Sequence, residues 1–352
     1  MKPNCKYLDL ENETDFGSET NKYRFNGTVH FGQTGRIVQC IKQDTREIVA
    51  IKLVPEIADM TNREKQILRK IKEFGPDNYN IVKFYEDFNY KTKHCFVFEK
   101  LDIDLLRFTE TIVGSGLHLS DIRLIAKQVL VSLDFLHSNG IVHRCITPNN
   151  IMLVDRSSLK VKLIDMGFSE EIGSMSNIYT NPVGFMPPEV IMRKKPDASS
   201  DMWCLGLTLI YFYLKALLFD CCTLNETLAA IVKMLGEPHC SKTFSYWKNV
   251  IKEYDPVVKL QSLDDLLEIR PTTQDPAERE DLLSFIDFLK QMLVPTPQER
   301  ITSAAISSIQ IRTRPDPLIF NPQPDPLTHQ VIGYSTLRCR TAPLTLQQTC
   351  MH

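Results

Sequence analysis

The chain has 352 residues, 43% of them hydrophobic and 24% charged, the balance of a folding globular protein rather than a disordered or fibrous one. A formal net charge of −2 and a pI near 6.5 leave no basic field that would draw it to nucleic acid or an anionic membrane. Ten cysteines occur without C-x-x-C pairs or zinc spacing, which argues against a disulfide framework or structural metal and for free thiols in a reducing, intracellular compartment.

Residues 1–20 are polar and acidic, without the apolar run of a secretory signal, and read as a disordered lead. From Tyr23 to about Glu99, short runs rich in Val, Ile and Phe (RIVQCIK, EIVAIKL, YNIVKFYEDF, HCFVFEK) alternate with turn residues, the pattern of a mostly antiparallel sheet. One helix interrupts them over Thr61 to Lys72, with Ile67, Leu68 and Ile71 on its apolar face and Thr61 as the expected cap. After Leu101 helices take over, most clearly over Ser120 to Asn139, where Ile122, Ile125, Val129, Leu133 and Leu136 recur at helical spacing between a capping Ser120 and a terminating Gly140. Two short strands follow at 151–154 and 159–165, and helices again from Pro187 to Ile311. The apolar stretch Trp203 to Phe219 is interrupted by Lys215 and falls short of the ~20 residues of a spanning helix, so it reads as a buried core helix. From Arg312 the chain is Pro-rich and carries PDPL twice, as in an extended or disordered tail.

The residues that carry chemistry lie in a fixed order. HFGQTGRIV puts Gly32 and Gly35 between two strand-like runs, where backbone amides can approach phosphates, although His30 stands where the first of three loop glycines is expected; an ordinary hairpin explains the same glycines. AIK at 50–52 sets Lys52 on a strand, and Glu64 follows on the next helix. IVHRCITPNNIMLVD and LIDMGF come next, then Pro187-Pro188-Glu189, DMWCLG at 201–206 and ERIT at 299–302.

In this order and spacing the chain resembles a eukaryotic protein kinase over about residues 23–311. The resemblance is to the homeodomain-interacting protein kinases, near the dual-specificity tyrosine-regulated kinases, through 77–101, 150–155 and 262–273. It implies an α+β, bilobal protein kinase fold over 21–311. The N-terminal sheet lobe would cover about 21–100, the helical C-terminal lobe about 101–311, with a disordered tail over 312–352. It further implies that Lys52 and Glu64 pair, that Asn150 and Asp165 hold Mg²⁺, and that ATP lies against Gly32, Gly35, Ile37, Ala50 and Leu153. Phe98 would be the gatekeeper, and Glu99 to Leu101 the hinge to adenine. Glu189, Asp201 and Arg300 would be structural, and a phosphorylated Tyr179 would pair with Arg144.

The departures bear most on activity. Cys145 stands where the family has its catalytic Asp, whose help to the attacking hydroxyl is worth roughly 10²–10⁴ in rate. Thr147 replaces the loop Lys that stabilises charge on the transferring phosphoryl group. Met166 replaces the Phe of D-F-G conservatively, whereas Val183 and Met186 stand where the related kinases carry Arg. The expectation is a pseudokinase that binds ATP and Mg²⁺ and regulates or scaffolds protein partners, transcription regulators among them by resemblance, as a monomer in the nucleus or cytoplasm, without contact to nucleic acid or membrane. The alternatives are a weakly active Ser/Thr or dual-specificity kinase and a purely structural fold that binds no nucleotide.

Overall fold

A computed structural model of the chain describes residues 16–31, 35–55, 59–75, 78–113, 116–174, 182–239, 241–256, 258, 260–269 and 276–308. It divides into two compact units: 1–105 with 127–143 and 149–172, and 106–126 with 144–148 and 173–352.

The first unit is built on strands β1 (Phe16–Gly17), β2 (Lys22–Phe31), β3 (Arg36–Lys42) and β4 (Ile48–Pro55), helix α1 (Asp59–Glu73), and strands β5 (Phe84–Tyr90) and β6 (Lys93–Glu99). The six strands form one antiparallel sheet in the order β1-β2-β3-β4-β6-β5. Its core collects the β-branched and aromatic side chains of one face, among them Val38, Val49, Ile51, Val97 and Phe88, as the period-2 alternation of a half-covered sheet demands.

The expected disordered lead ends earlier than residue 20. Phe16 is buried and pairs in register with Tyr23, and its ring lies 6.2 Å from Phe88 and 5.4 Å from Tyr90. One aromatic ring with a prepared apolar site recovers enough burial to order a segment whose average composition is polar. Residues 1–15 and 309–352, with most of the expected lead and all of the tail, lie outside the described residues.

Short helix α2 (Leu105–Phe108) precedes α3 (Leu119–Ser138). In α3 all five periodic residues named above are buried, and the helix closes at Gly140, whose φ of 72° is the left-handed conformation glycine adopts without strain. Two capping expectations fail. Thr61 lies inside α1, buried, with its hydroxyl donating to the Pro55 carbonyl at 3.0 Å. Ser120 is in the first turn of α3 rather than before it. Hydroxyl side chains satisfy nearby carbonyls as readily as free amides, so their presence near a helix start does not fix the cap.

The first unit is completed by β7 (Ile141–Val142), β8 (Ile151–Leu153), β9 (Val161–Leu163) and β10 (Glu170–Glu171), which pair antiparallel as β8 with β9 and β10 with β7. The later part of α3 belongs here because Ser132 Oγ donates to the Tyr79 and Asn80 carbonyls at 2.8 and 3.0 Å, and Gln128 bonds Leu159 and Val161.

The second unit is helical: α4 (Pro188–Ile191), α5 (Ala198–Leu214), α6 (Leu224–Leu235), α7 (Ser241–Ile251), α8 (Leu266–Ile269), α9 (Pro276–Met292) and α10 (Ser303–Ser308). Helix α5 is buried on every face from Ser200 to Tyr213, as the run of apolar residues requires. An Asp197/Ser200 capping box starts it. Gly206 lets α9 close on it, since a Cβ there would sit 3.0 Å from Leu293 Cδ2 and 3.2 Å from Met292 Cβ. Among the described residues no helix is long and apolar enough to cross a membrane.

Candidate nucleotide site and catalytic loop

In the first unit the register of β3, β4 and β6 brings the expected nucleotide residues together. Ile37 lies opposite Lys52, and Ala50 opposite Phe98. Glu64, on α1, is buried beneath them. Lys52 Nζ sits 2.7 Å from Glu64 Oε1 and 2.7 Å from Asp165 Oδ1, with the Lys52 and Glu64 side chains 7% and 4% exposed and Asp165 25% exposed. Burial opposes the Lys52 charge, but the Asp165 and Glu64 carboxylates outweigh it and hold the ammonium above its ordinary pKa. Burial likewise works against Asp165, yet Lys52 and the Gly167 amide hold its carboxyl below the usual range. Glu64 goes the other way, raised by burial despite Lys52.

Asp165 adopts φ 63°, ψ 83° and accepts the Gly167 amide at 3.2 Å, which starts the single turn Met166–Phe168. Met166 is buried in that turn, the packing expected of a Phe substitute. A side chain at Gly167 would crowd this group, since a Cβ there would lie 3.0 Å from Asp165 Oδ1, 3.2 Å from Lys52 Nζ and 3.4 Å from Glu64 Oε2. Asn150 is buried beside this group, its carbonyl accepting the Ile164 amide at 2.9 Å. His143 Nε2 lies 3.0 Å from the Ile164 carbonyl.

Along the expected adenine edge, Phe98 packs on Phe84 with ring centroids 5.7 Å apart. Glu99 turns its carboxylate to Lys162 and the Lys83 amide, and its own amide donates to the Lys83 carbonyl at 3.0 Å. Leu101 and Leu153 are buried, and the two segments are joined by bonds of 3.0 Å from Asp102 N to Leu153 O and 2.8 Å from Leu153 N to Ile103 O. Of the two loop glycines, Gly32 lies outside the described residues. Gly35 has a local reason to be glycine, because a Cβ would approach the Leu53 carbonyl to 2.5 Å; close strand packing alone accounts for it.

Residues 144–148 belong to the second unit. Arg144 has φ 68° and its amide donates to Asp201 Oδ1 at 2.7 Å. Thr208 Oγ1 donates to the Ile146 carbonyl at 3.1 Å. Helix α5 therefore fixes the loop backbone on both sides of Cys145, whose thiol is buried, and Thr147 is buried as well. Glu189 and Arg300 form a two-pronged pair of 2.9 and 3.0 Å, 3% and 0% exposed. Ser200 Oγ adds a bond of 2.8 Å to Glu189, and the guanidinium lies 5.1 Å over the Trp203 ring. Tyr179 lies outside the described residues.

Sequence reasoning missed a set of charges around α1. Arg63 pairs with the buried Glu170, Lys70 with Glu171, and Lys65 and Arg69 with Asp87. The i, i+7 and i, i+4 spacings of the basic residues were readable signals, but their partners are distant in sequence.

The described residues contain no cluster of three His, Cys, Asp or Glu side chains able to cage a metal. The carboxylate of Asp165 with the amide of Asn150 offers hard oxygen donors, which suits Mg²⁺, an ion that takes one or two protein ligands and completes its shell with water and phosphate.

Residues 23–310 match the family described as protein kinase domain. Homeodomain-interacting protein kinase 2 of Mesocricetus auratus is 30% identical over 324 residues, 81% of this chain and 28% of the relative. Serine/threonine-protein kinase ppk15 of Schizosaccharomyces pombe is 30% identical, covering 85% of this chain and 63% of its own length. The human dual specificity tyrosine-phosphorylation-regulated kinase 4 is 28% identical over 80% of this chain and 55% of its own. The chain thus spans about a quarter to less than two thirds of the length of these relatives. A crystallised kinase domain at 24% identity superposes with a TM-score of 0.66 over 84% of this chain and 98% of that one, showing the same fold.

Proposed function

Because this chain belongs to the protein kinase domain family, near the homeodomain-interacting and dual-specificity tyrosine-regulated kinases, we propose that it is a kinase-like protein that binds ATP with Mg²⁺ but transfers phosphate poorly, acting on protein partners by binding. One observation carries the reading. Lys52 Nζ is held 2.7 Å from both Glu64 and Asp165 in a chain whose loop offers a thiol at 145 and a hydroxyl at 147.

The chain's own residues define what remains and what is lost. Glu64 aims Lys52 from beneath, leaving the ammonium as a fixed positive group for phosphate oxygens. Asp165 and Asn150 would hold the metal, and a bound Mg²⁺ would neutralise phosphate charge. Phe98 and Leu153 would wall the base, with Leu101 at the hinge. At 145 no carboxylate is present to orient or accept the proton of an attacking hydroxyl. At 147 no cation is present to offset charge on the moving phosphoryl group. The partners are proteins, with transcription regulators favoured by family likeness, the chain acts as a monomer, and the setting is intracellular, in nucleus or cytoplasm.

A weakly active Ser/Thr kinase is the second reading, favoured by the same ion triad, since positioning and metal alone supply part of catalysis. Incubation with radiolabelled ATP, Mg²⁺ and a generic protein substrate separates them. The expected result is transfer at the level of the Asp165→Asn control, and a rise of at least ~10² in the Cys145→Asp variant. Wild-type transfer abolished by Asp165→Asn would overturn the pseudokinase reading.

A further inference from the structure

Helix α1 carries two stripes of positive charge around Glu64. At about 100° of rotation per residue, Arg63 and Lys70 fall on one flank of the helix, and Lys65 and Arg69 on the other. Each stripe meets its own anions. Lys65 Nζ and Arg69 Nη2 lie 3.0 and 2.9 Å from Asp87 on β5, whose side chain is 5% exposed. Asp87 is also approached by His94 Nε2 from β6 at 3.2 Å. On the other flank Arg63 Nη1 donates to Glu170, whose side chain is 2% exposed, and Lys70 Nζ lies 2.7 Å from Glu171. These two carboxylates lie three and four residues after Gly167, with Phe168 and Ser169 between. Their backbone is pinned, with Glu170 opposite Val142 and Glu171 opposite Ile141 in the strand pair, and Ile172 N donating to Gly140 O at 2.8 Å.

The roll of α1 about its axis decides whether Glu64 faces Lys52. A roll large enough to withdraw Glu64 breaks contacts on both flanks at once. In kinases the Lys–Glu pair is what activation-segment phosphorylation and helix position control, through new arginine–phosphate pairs. Here an arginine of the helix is already satisfied by a carboxylate on a fixed strand.

We propose that Glu170 is a permanent internal anion that acts through Arg63 as a positioning residue, holding α1 in the roll that joins Glu64 to Lys52, so that the triad assembles without phosphorylation. The inference deepens the nucleotide-site reading above and rests on it for its functional meaning. Glu171 and Lys70 act in the same sense but are half-exposed and screened, so they contribute less.

The test uses the full chain as wild type, phosphatase-treated wild type, Glu170→Gln, Arg63→Gln and Arg63→Lys. Amide hydrogen exchange of α1 is read in nucleotide-free protein, and affinity is read with a fluorescent ATP analogue and Mg²⁺. Phosphatase treatment should change neither. Glu170→Gln keeps the shape but exchanges a charge-assisted bond for a neutral one, and should speed exchange in α1 about tenfold and weaken the analogue by a similar factor. Arg63→Gln should match it and Arg63→Lys should retain most of the protection, with α5 unchanged throughout. Wild-type protection of α1 in Glu170→Gln, faster α1 exchange after phosphatase, or an equal loss in α5 would each overturn the proposal. If the wild type binds no analogue, the nucleotide reading falls, and the exchange measurement still decides the role of Glu170.

Discussion

Replacing Lys52 by Met removes the ammonium that Glu64 and Asp165 share and strands both carboxylates. Each carboxylate oxygen lies 2.7 Å from Nζ, so the two are separated by no more than twice that distance. Two anions about 5 Å apart at an effective dielectric near 20 repel by about 3 kcal/mol. Proton uptake by Glu64 caps the penalty. Protonating an ordinary glutamate of pKa ~4.3 at pH 7 costs about 3.7 kcal/mol, at ~1.4 kcal/mol per pH unit. Both figures agree with the ~3–5 kcal/mol lost when one partner of a buried ion pair is removed. Glu64 is already displaced upward by burial, and without Lys52 its folded pKa rises further above the unfolded value. Its contribution is therefore most favourable below the unfolded pKa and is lost as pH rises through the folded one. The deficit of Lys52→Met relative to wild type in urea unfolding should be about 3–4 kcal/mol at pH 7 and ~1 kcal/mol at pH 5. Lys52→Met/Glu64→Gln should recover most of the loss at pH 7. A deficit under ~1 kcal/mol at pH 7, or one that does not shrink on acidification, refutes the assigned charge states.

Two further outcomes follow from buried charge elsewhere. Arg300→Met leaves Glu189 in a site where the pair is 0% and 3% exposed, and should cost about 3–5 kcal/mol by urea midpoint, while Glu189→Leu/Arg300→Met should regain much of it; equal loss in both variants would mean the shape of the arginine matters more than its charge. Asp87 is held below the ordinary carboxylate pKa because Lys65 and Arg69 overcome its burial, so its contribution is present above the unfolded pKa and disappears as pH falls through the folded one. Asp87→Asn should flatten the acid limb of stability below about pH 4, and an unchanged limb would rule out that assignment.

What was legible in the sequence was whatever repeats locally or occurs in a fixed order. The helical spacing of Ile122, Ile125, Val129, Leu133 and Leu136 is a direct image of one buried face. Lys52, Glu64 and Asp165 were individually uninformative, and their order along the chain identified them before the 2.7 Å contacts did. Arg63 and Glu170 had no such order to lean on, because their contact spans 107 positions and involves residue types common on any surface. Thr61 was misjudged for a different reason: a threonine near a helix start has several acceptors within reach, and only the fold reveals that Pro55 is the one used. Gly35 looked like a phosphate-loop residue, whereas the nearby Leu53 carbonyl explains it without a ligand.

The short strand Phe16–Gly17 lies upstream of residue 23, where the family match begins. It is the outermost member of the six-stranded sheet, next to the ten-residue β2. A truncation made at the family boundary would strip the flank of β2, exposing unpaired backbone groups and the apolar surface of Tyr23 and Phe88 that Phe16 covers. Such an open flank invites pairing with a second molecule. A shortened protein starting at residue 23 would keep every family motif and still be prone to self-association and aggregation.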